Sequence, residues 1–209
     1  MKLIFATHNE GKIKEMKQIL SGLDIKIISA SKAGIKDEIV EDGETFIANA
    51  TKKAKFVASK TGELSVADDS GICIKALNEE PGVRTARWAG KNAKGIDLVN
   101  YTLKKMKSIP EGKRQAYFES VAVLAEPNGE KKVFSGQIQG EVTISPQGKL
   151  NEKLPYDVIF QPEGFTQTFA EMSEDEKNSL SHRGLAFKQM KEYLHNINNS
   201  PKSVSRETP

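Results

Sequence analysis

The chain has 209 residues, of which 37% are apolar and 28% are charged, and its formal net charge is +3. This composition is typical of a soluble globular protein with one domain, or one domain in two lobes, and it excludes a disordered chain. No apolar stretch approaches the roughly 18 residues of a membrane span, and the apolar start is too short for a signal peptide. We therefore expect a cytoplasmic protein.

The single cysteine, Cys73, excludes an internal disulfide framework and a multi-cysteine zinc site. It lies in the apolar run 71–74, which predicts a buried structural thiol rather than a nucleophile. The three histidines are scattered and lack the spacing of metal ligands. Any chemistry must therefore come from other side chains.

Strands and helices alternate at the start of the chain. Residues 2–6 predict a buried strand, and residues 25–28 predict a second one. Between them, one helix is predicted by an apolar stripe of Ile13, Met16, Ile19 and Leu20. The order strand, helix, strand indicates an α/β architecture.

A second helix is predicted over residues 45–59, with Thr45 as a possible N-cap and Lys53 on the polar side. Its apolar face consists of Phe46, Ala50, Ala54 and Val57. Two short apolar runs follow, and the segment Asp68-Asp69-Ser70-Gly71 between them predicts an acidic turn. Strand ends that converge on an acidic turn indicate a functional site.

The second half of the chain predicts a helix over residues 95–109 and then a β-hairpin. Asn128 and Gly129 are a strong hairpin signal, and Gly136 and Gly140 in the following strand mark bulges or close approaches.

Two more helices are predicted near the end of the chain. A capping box at Ser173 opens one of them, and the last helix covers residues 183–194. We expect a single domain over residues 1–194, followed by a flexible tail over residues 195–209.

Three groups of residues could carry chemistry. The first is the polar turn 7–12 between a strand and a helix, where a helix N-terminus suits an anion and Lys12 adds a positive charge. Thr7 and Asn9 add hydrogen bonds. The spacing is not that of a P-loop, and an ordinary polar turn explains these residues at least as well.

The second group consists of Glu41, Asp68 and Asp69. Successive strand residues face opposite ways, so only one of the two aspartates can face a given cleft. A carboxylate pair that holds Mg²⁺ would activate water and neutralise phosphate charge. For Glu41 alone a solvated loop acid is the better interpretation, whereas two aspartates between apolar strands favour a functional role.

The third group is the segment 181–184, with Lys177 just upstream. Cations at a helix start oppose the helix dipole unless an anion or an acceptor-rich ligand lies there. A solvated basic face is the alternative. Arg84 and Arg87 add further candidate phosphate or partner contacts, and Trp88 indicates a core or interface residue.

Five motifs occur in a fixed order, and each of them alone is weak. They are [ST]-x-N-x-x-K at 7–12, E-x-G-x-T-F-x-x-N-A at 41–50, D-D-S-G at 68–71, P-G-x-x-[ST]-A-R-[WY]-x-G at 81–90 and T-F-A-E-M-x-x-x-E-K-N-x-x-S-H-R at 168–183. Together they are highly specific, and over residues 2–194 the chain resembles the inosine triphosphate pyrophosphatases.

This resemblance implies hydrolysis of non-standard purine nucleoside triphosphates (ITP, dITP, XTP) to the monophosphate and pyrophosphate, with Mg²⁺ as the cofactor. It implies an α/β fold in which a long, mixed, twisted β-sheet spans two lobes, with the active cleft between them. It also implies a homodimer, and we expect no nucleic-acid or membrane partner.

The resemblance also assigns residue roles. Asp69 is expected to be the general base or to orient the water, and Glu41 and Asp69 are the expected metal ligands. The expected substrate-binding residues are Thr7, His8, Asn9, Glu10, Gly11, Lys12, Ser70, Leu154, Pro155, Tyr156, Asp157, Lys177, His182 and Arg183, of which Thr7, Asn9 and Lys12 hold the triphosphate and Lys177, His182 and Arg183 read the purine.

The sequence departs from the family's pattern at three positions. Leu154 and Pro155 stand where Phe-Gly is usual, and the phenylalanine is expected to stack on the base, an interaction worth about 1–3 kcal/mol. Ala48 replaces a common glutamate. The Leu154 change bears on base affinity more than on catalysis.

Three alternatives remain. The Leu154 and Pro155 change allows a nucleotide-binding protein of the same fold that has lost turnover. A second alternative is a pyrophosphatase that prefers another unusual nucleotide. The basic charge balance raises a nucleic-acid-binding protein, which interspersed acids and the lack of an aromatic and basic stripe disfavour.

Overall fold

The computed structural model describes residues 1–7, 9–37 and 39–199. Its strands are β1 (Lys2–Phe5), β2 (Lys26–Ser29), β3 (Ser65–Ile74), β4 (Gln115–Ala125), β5 (Lys131–Val142) and β6 (Phe160–Pro162). They form one sheet in the order β2-β1-β3-β4-β5-β6. β1 is parallel to β2 and β3, and the other neighbours are antiparallel. The sheet is therefore mixed, which confirms the expected fold class.

Helices cover both faces of this sheet because its strands alternate apolar side chains to each side. They are α1 (Glu10–Ile19), α2 (Phe46–Thr61), α3 (Gly95–Lys105), α4 (Glu174–Leu180) and α5 (His182–Asn199). Phe5 and Val66 pack against α1 and α5 in one core, whereas Ile4 and Ala67 pack against α2 in another. No helix in the described ranges has the length and apolarity to cross a membrane.

A third core lies at the other end of β3 and β4, and it forms the second lobe. Ile72 and Phe118 pack there with Val99 of α3 and with Tyr156 and Phe160. β3 and β4 thus run through both lobes, and the middle of β3 lies where the lobes meet.

The predicted acidic turn is wrong, because residues 68–71 continue β3 without a break. Asp68 pairs with Ala122 of β4, and Asp69 pairs with Val121. This antiparallel neighbour satisfies the backbone groups that a turn would expose. Gly71 serves packing rather than a turn, since a Cβ atom there would collide with Thr85.

The other differences concern element ends and glycines. α5 continues to Asn199, so residues 195–199 are helical rather than part of a tail, and residues 200–209 lie outside the described part of the chain. Gly136 marks a close approach, which is one of the two alternatives predicted for it. A Cβ atom at this position would collide with the carbonyl oxygen of His182. α5 can therefore lie directly on β5.

Cys73 is buried on β3, as predicted for a structural thiol. Burial raises the pKa of this thiol to about 11, so it is not a thiolate at neutral pH. Trp88, predicted to be a core or interface residue, is half-buried against the third core and packs edge-to-face on Tyr101, with ring centroids 5.3 Å apart.

Candidate active site

The site lies beside β3, beyond the end of β1. β1 pairs with β3 at Ser65 and Val66 and then ends, and a cavity of about 540 Å³ begins there, lined by Ala6, Asp69 and Ser70 among others. Ligands of open α/β sheets bind outside the carboxyl ends of strands. Because this edge of β3 is open to the cavity, side chains from both faces of the sheet can reach it.

The polar turn after β1 contains Asn9, which caps α1. Its side-chain oxygen accepts hydrogen bonds from the backbone N–H groups of Gly11 at 2.9 Å and Lys12 at 3.3 Å. These two groups are used inside the turn, so the turn does not offer them to an anion as the sequence suggested. His8 lies outside the described residues, and so does the side chain of Glu10.

Asp68 lies on the face of β3 that packs against α1 and α5. Its Oδ2 atom is 2.9 Å from Lys12 Nζ and 3.3 Å from Arg183 Nε. Burial raises the pKa of this carboxyl, but Lys12 and Arg183 outweigh burial and hold the pKa well below its usual range. Its Oδ1 atom has no hydrogen-bond partner among the described residues. Asp68 is thus an ionised anchor for two cations rather than a proton acceptor.

Asp69 points to the opposite face, toward α2, in agreement with the predicted alternation of the two aspartates. Asn49 Nδ2 donates to its Oδ2 at 3.0 Å, and Lys53 Nζ lies 3.8 Å from its Oδ1. Burial raises the pKa of Asp69, and the positive charges of Lys53 and Lys12 only reduce this rise. A carboxylate with a raised pKa on a cavity wall is a better general base than an ordinary aspartate.

The prediction that Lys53 lies on the polar side of its helix is wrong. Its side chain is 11% exposed, and Nζ donates to Glu41 Oε1 at 2.5 Å and to the Asp68 carbonyl at 2.7 Å. Burial lowers the pKa of Lys53, but Asp69, Glu41 and Asp68 more than compensate and raise it. Lys53 therefore stays charged between two carboxylates of the cavity.

The sequence did contain a signal for Lys53. It lies seven residues after Phe46 and four before Val57, on the same stripe of α2, and Asn49 lies four residues before it. Positions spaced in this way share one helix face. Polar side chains inside an apolar stripe should therefore have indicated a buried polar site.

Glu41 is half-buried at the mouth of the cavity, in the segment before α2. Arg87 Nη2 donates to its carbonyl at 3.1 Å, and Arg87 Nη1 lies 3.9 Å from its carboxylate. Arg87 ends the 3₁₀ helix Gly82–Arg87, which Thr85 fastens to β3 by accepting from Ile72 N at 3.0 Å. Arg87 therefore positions the segment that carries Glu41.

The side chains fit Mg²⁺ only when a substrate supplies some of the ligands of the ion. Glu41 and Asp69 offer carboxylate oxygens to the cavity, and both approach Lys53. Within the described ranges, no group of three or more His, Cys, Asp or Glu residues could hold a metal. Mg²⁺ is commonly bound by one or two carboxylates plus substrate phosphates, and the donor set of this chain matches that arrangement.

A second charged cluster lies below the other end of the cavity. Lys177 Nζ lies 2.8 Å from Glu15 Oε1 and 2.6 Å from Asp157 Oδ2, and Arg183 also pairs with Glu15. Burial raises the pKa of Asp157, and Lys177 opposes it. For Glu15, the cations Arg183 and Lys177 outweigh burial and lower the pKa. Sequence reasoning missed Glu15, which lies one helical turn after Lys12.

His182 begins α5 and is buried against Phe118, with ring centroids 4.6 Å apart and nearly parallel planes. Burial, together with the cations Arg183 and Lys177, lowers the pKa of His182 well below 6.5, so the ring is neutral. Its Nδ1 atom is buried and unpaired among the described residues. A neutral imidazole with an unused nitrogen on a cavity wall can read the polar edge of a ligand.

The segment 154–157 forms a wall of the cavity, but only part of it is free to bind. Tyr156 donates its hydroxyl to the Thr85 carbonyl at 3.1 Å, and Asp157 is held by Lys177. Leu154 is half-buried and packs toward the first turn of α1, since a Cβ atom on Gly11 would lie 3.3 Å from its Cγ. Leu154 therefore presents an apolar surface to the cavity.

Most of the predicted site residues line one cavity. The predicted residues that line it are Thr7, Asn9, Lys12, Glu41, Asp69, Ser70, Leu154, Pro155, Tyr156, Asp157, His182 and Arg183. Gly11 and Lys177 lie behind this lining. Arg183 connects the two charged regions, because its Nη2 donates to Ser70 Oγ at 3.0 Å while its other nitrogens reach Asp68 and Glu15. The volume is that of a site for one small molecule.

Comparisons with known proteins agree with this arrangement. The model of the Ham1 family matches residues 3–193. A dITP/XTP pyrophosphatase of Zymomonas mobilis is 40% identical over 192 residues, covering 90% of each chain. The structure of a HAM1 protein from Coxiella burnetii has a TM-score of 0.85 at 36% identity, covering 94% of this chain and 99% of that one. The Staphylococcus aureus Ham1 protein has a TM-score of 0.83 at 31% identity, covering 94% and 100%. These matches confirm the resemblance drawn from the motifs: the chain belongs to the Ham1 family.

Proposed function

We propose that this chain hydrolyses non-standard purine nucleoside triphosphates such as dITP, ITP and XTP to the monophosphate and pyrophosphate. One observation carries the proposal: Asp69, whose pKa is raised, shares one cavity with Lys12, Lys53, His182 and Arg183. The cavity thus combines a proton acceptor, cations that can bind phosphate, and hydrogen-bonding groups that can recognise a purine. The relatives named dITP/XTP pyrophosphatase support the same substrate class.

The chain's own side chains account for the chemistry. Lys12 and Lys53 would hold the phosphate oxygens, and Asp69 would orient a water and take its proton as the oxygen attacks the α-phosphorus. The bond to the bridging oxygen breaks, and pyrophosphate leaves with the electron pair. Mg²⁺ at Glu41 and Asp69 would supply neutralisation of the phosphate charge. Positioning and charge neutralisation provide most of the catalysis in such a transfer.

Selection of the base rests on His182 and Arg183. An N–H donor of either residue matches the carbonyl oxygen of a 6-oxo purine. A 6-amino purine would place donor against donor in a buried site, and an unpaired buried polar group is costly. Sites built on such a hydrogen bond reject the wrong ligand strongly. We therefore expect dITP and XTP to be preferred over dATP.

A substrate panel tests this function directly. The protein is supplied with ITP, dITP, XTP, GTP and ATP, with and without Mg²⁺, and the released phosphate species is identified. We expect pyrophosphate from ITP, dITP and XTP and not from the 6-amino purine ATP, and only with the metal. Release of orthophosphate would refute attack at the α-phosphorus, and nucleotide binding without release would show a protein that has lost turnover.

Assembly and location are also part of the proposal. We expect a homodimer that acts in the cytoplasm, where a pool of nucleoside triphosphates is available. Light scattering coupled to size-exclusion chromatography measures the assembly, and a monomeric mass at micromolar concentration would contradict the dimer.

A further inference from the structure

We propose that Lys53 occupies the place of the divalent cation in the free enzyme, so that the metal enters only together with the nucleotide. The inference deepens the proposed function and rests on it in one respect, namely that Glu41 and Asp69 are the metal-binding carboxylates. It concerns the order of binding rather than the reaction itself.

The position of the Lys53 ammonium group carries the inference. Nζ lies 2.5 Å from Glu41 Oε1, 2.7 Å from the Asp68 carbonyl oxygen and 3.8 Å from Asp69 Oδ1. These three oxygens are of the type that Mg²⁺ prefers. An ion that bound both carboxylates would therefore compete with Nζ for the same oxygens.

Electrostatics makes this competition unfavourable for a free ion. Lys53 is 11% exposed and Asp69 is 9% exposed, so water screens the charges poorly. The carboxylate of Asp68 offers no substitute, because it is buried on the opposite face of β3 from Asp69, where Lys12 and Arg183 hold its Oδ2 atom. Each carboxylate of this region already has a cation, and a dication that entered alone would add uncompensated positive charge.

A triphosphate removes this obstacle because it offers the lysines new partners. Its oxygens can accept the ammonium groups of Lys12 and Lys53, which line the same cavity from opposite sides of β3. When Lys53 moves to a phosphate, Glu41 and Asp69 are freed for an ion that the same phosphates carry. Positive charge is exchanged rather than added, and the arrangement predicts that the enzyme binds the metal–nucleotide complex as a unit.

The neighbouring lysine provides a matched control. Lys52 precedes Lys53 on α2, is exposed, and forms a surface ion pair with Asp42 at 2.7 Å. Lys52→Met and Lys53→Met remove the same charge from adjacent positions. Only the second change removes a cation from the cavity.

The test measures binding of Mn²⁺ by electron paramagnetic resonance and calorimetry, without turnover. Without nucleotide, wild-type protein and Lys52→Met should bind Mn²⁺ weakly. In the presence of a non-hydrolysable α,β-imido analogue of dITP, wild-type protein should bind one Mn²⁺ tightly. Binding of Mn²⁺ to the analogue alone is measured separately and subtracted. Lys53→Met alone should bind one Mn²⁺ at least about tenfold more tightly than Lys52→Met. Adding Glu41→Gln to Lys53→Met should abolish that gain.

Two results would overturn the inference. One is wild-type protein that binds free Mn²⁺ as tightly as in the presence of the analogue, a comparison that needs no variant and so stands if Lys53→Met fails to fold. The other is a folded Lys53→Met protein that binds Mn²⁺ no more tightly than Lys52→Met. Wild-type hydrolysis of dITP is assayed separately, so a failure of the proposed function is distinguished from a failure of this inference.

Discussion

The two ends of the cavity use buried ion pairs in different ways. At the Asp69 end, Glu41, Asp69 and Lys53 all line the cavity, so a ligand meets their charges directly. At the other end, Lys177 and Glu15 pair behind the lining and leave the surface to His182 and Arg183. A ligand can replace the ion-pair partners of the first set. The ion pairs of the second set are out of reach of a ligand, and they support the residues that line the cavity.

The same kind of interaction thus serves two purposes in this molecule. A buried ion pair contributes little net stability when it forms, because desolvation offsets the attraction, but breaking it by removing one partner is costly. A change at the Asp69 end should therefore alter turnover, and a change beneath His182 should alter stability and base selection.

Asp69→Asn should have the largest effect on turnover. The amide cannot take a proton from water, so kcat should fall by about 10²–10⁴-fold. KM for dITP should rise, because Asp69 is also an expected ligand of the metal that the nucleotide carries. Steady-state release of pyrophosphate measures both constants.

Asp42→Asn is the control for this change, because Asp42 is an exposed acid beside Glu41 that pairs with Lys52 on the surface. It should leave kcat near the wild-type value. Near wild-type turnover in a folded Asp69→Asn protein would remove the role assigned to that residue.

The sequence could predict the elements that local rules determine, but not those that distant partners determine. Thr45 and Ser173 cap their helices as predicted, because capping depends on neighbours within three residues. Residues 68–71 look like a turn by local preference, and only the pairing with β4, some fifty residues away, makes them a strand.

The same distinction applies to the candidate site. Most of the site residues that the motifs predict line one cavity, yet the partners of those residues come from other parts of the chain. Lys53 reaches Glu41 and Asp69 from α2, and Glu15 reaches Lys177 across 162 positions. A buried ion pair of this kind is a tertiary feature, and a single sequence carries only indirect signs of it.

Glu15→Gln should have the largest effect on stability. It removes the carboxylate that Lys177 and Arg183 share, and breaking a buried pair in this way costs about 3–5 kcal/mol of unfolding free energy. Because Arg183 also loses its position, the ratio of kcat/KM for dITP to that for dATP should fall about tenfold. Urea unfolding and a two-substrate assay measure the two effects.

Lys14→Gln, on the same helix, is the comparison for Glu15→Gln. Its ion pair with Glu174 is exposed, and exposed pairs contribute little. Both the unfolding free energy and the substrate ratio should stay close to wild type. If Glu15→Gln behaved like Lys14→Gln, the cluster beneath His182 would not be a scaffold.

The buried ring of His182 should make stability depend on pH. Its folded-state pKa lies well below 6.5, so as the pH falls below 6.5 the unfolded chain takes up a proton that the folded chain resists. This contribution is fully present above the unfolded pKa and is lost as the pH falls toward the folded value, by at most about 1.4 kcal/mol per pH unit. Urea unfolding at pH 7.5, 6.5 and 5.5 should show a steeper loss for wild type than for His182→Asn, and equal slopes would contradict a neutral buried ring.

Leu154→Phe should produce a smaller change, a decrease in KM. It separates two contributions to binding of the purine, stacking on an aromatic ring and hydrogen bonding. Leu154 presents an apolar wall to the cavity without an aromatic face, and stacking of a base on an aromatic ring contributes about 1–3 kcal/mol. At the lower end of that range, KM for dITP should fall about fivefold in the variant and should rise in Leu154→Ala. Stacking depends little on the identity of the base, whereas the donors of His182 and Arg183 distinguish 6-oxo from 6-amino purines. The preference for dITP over dATP should therefore stay constant while both KM values fall, and a change in that preference would show that Leu154 itself takes part in selecting the base.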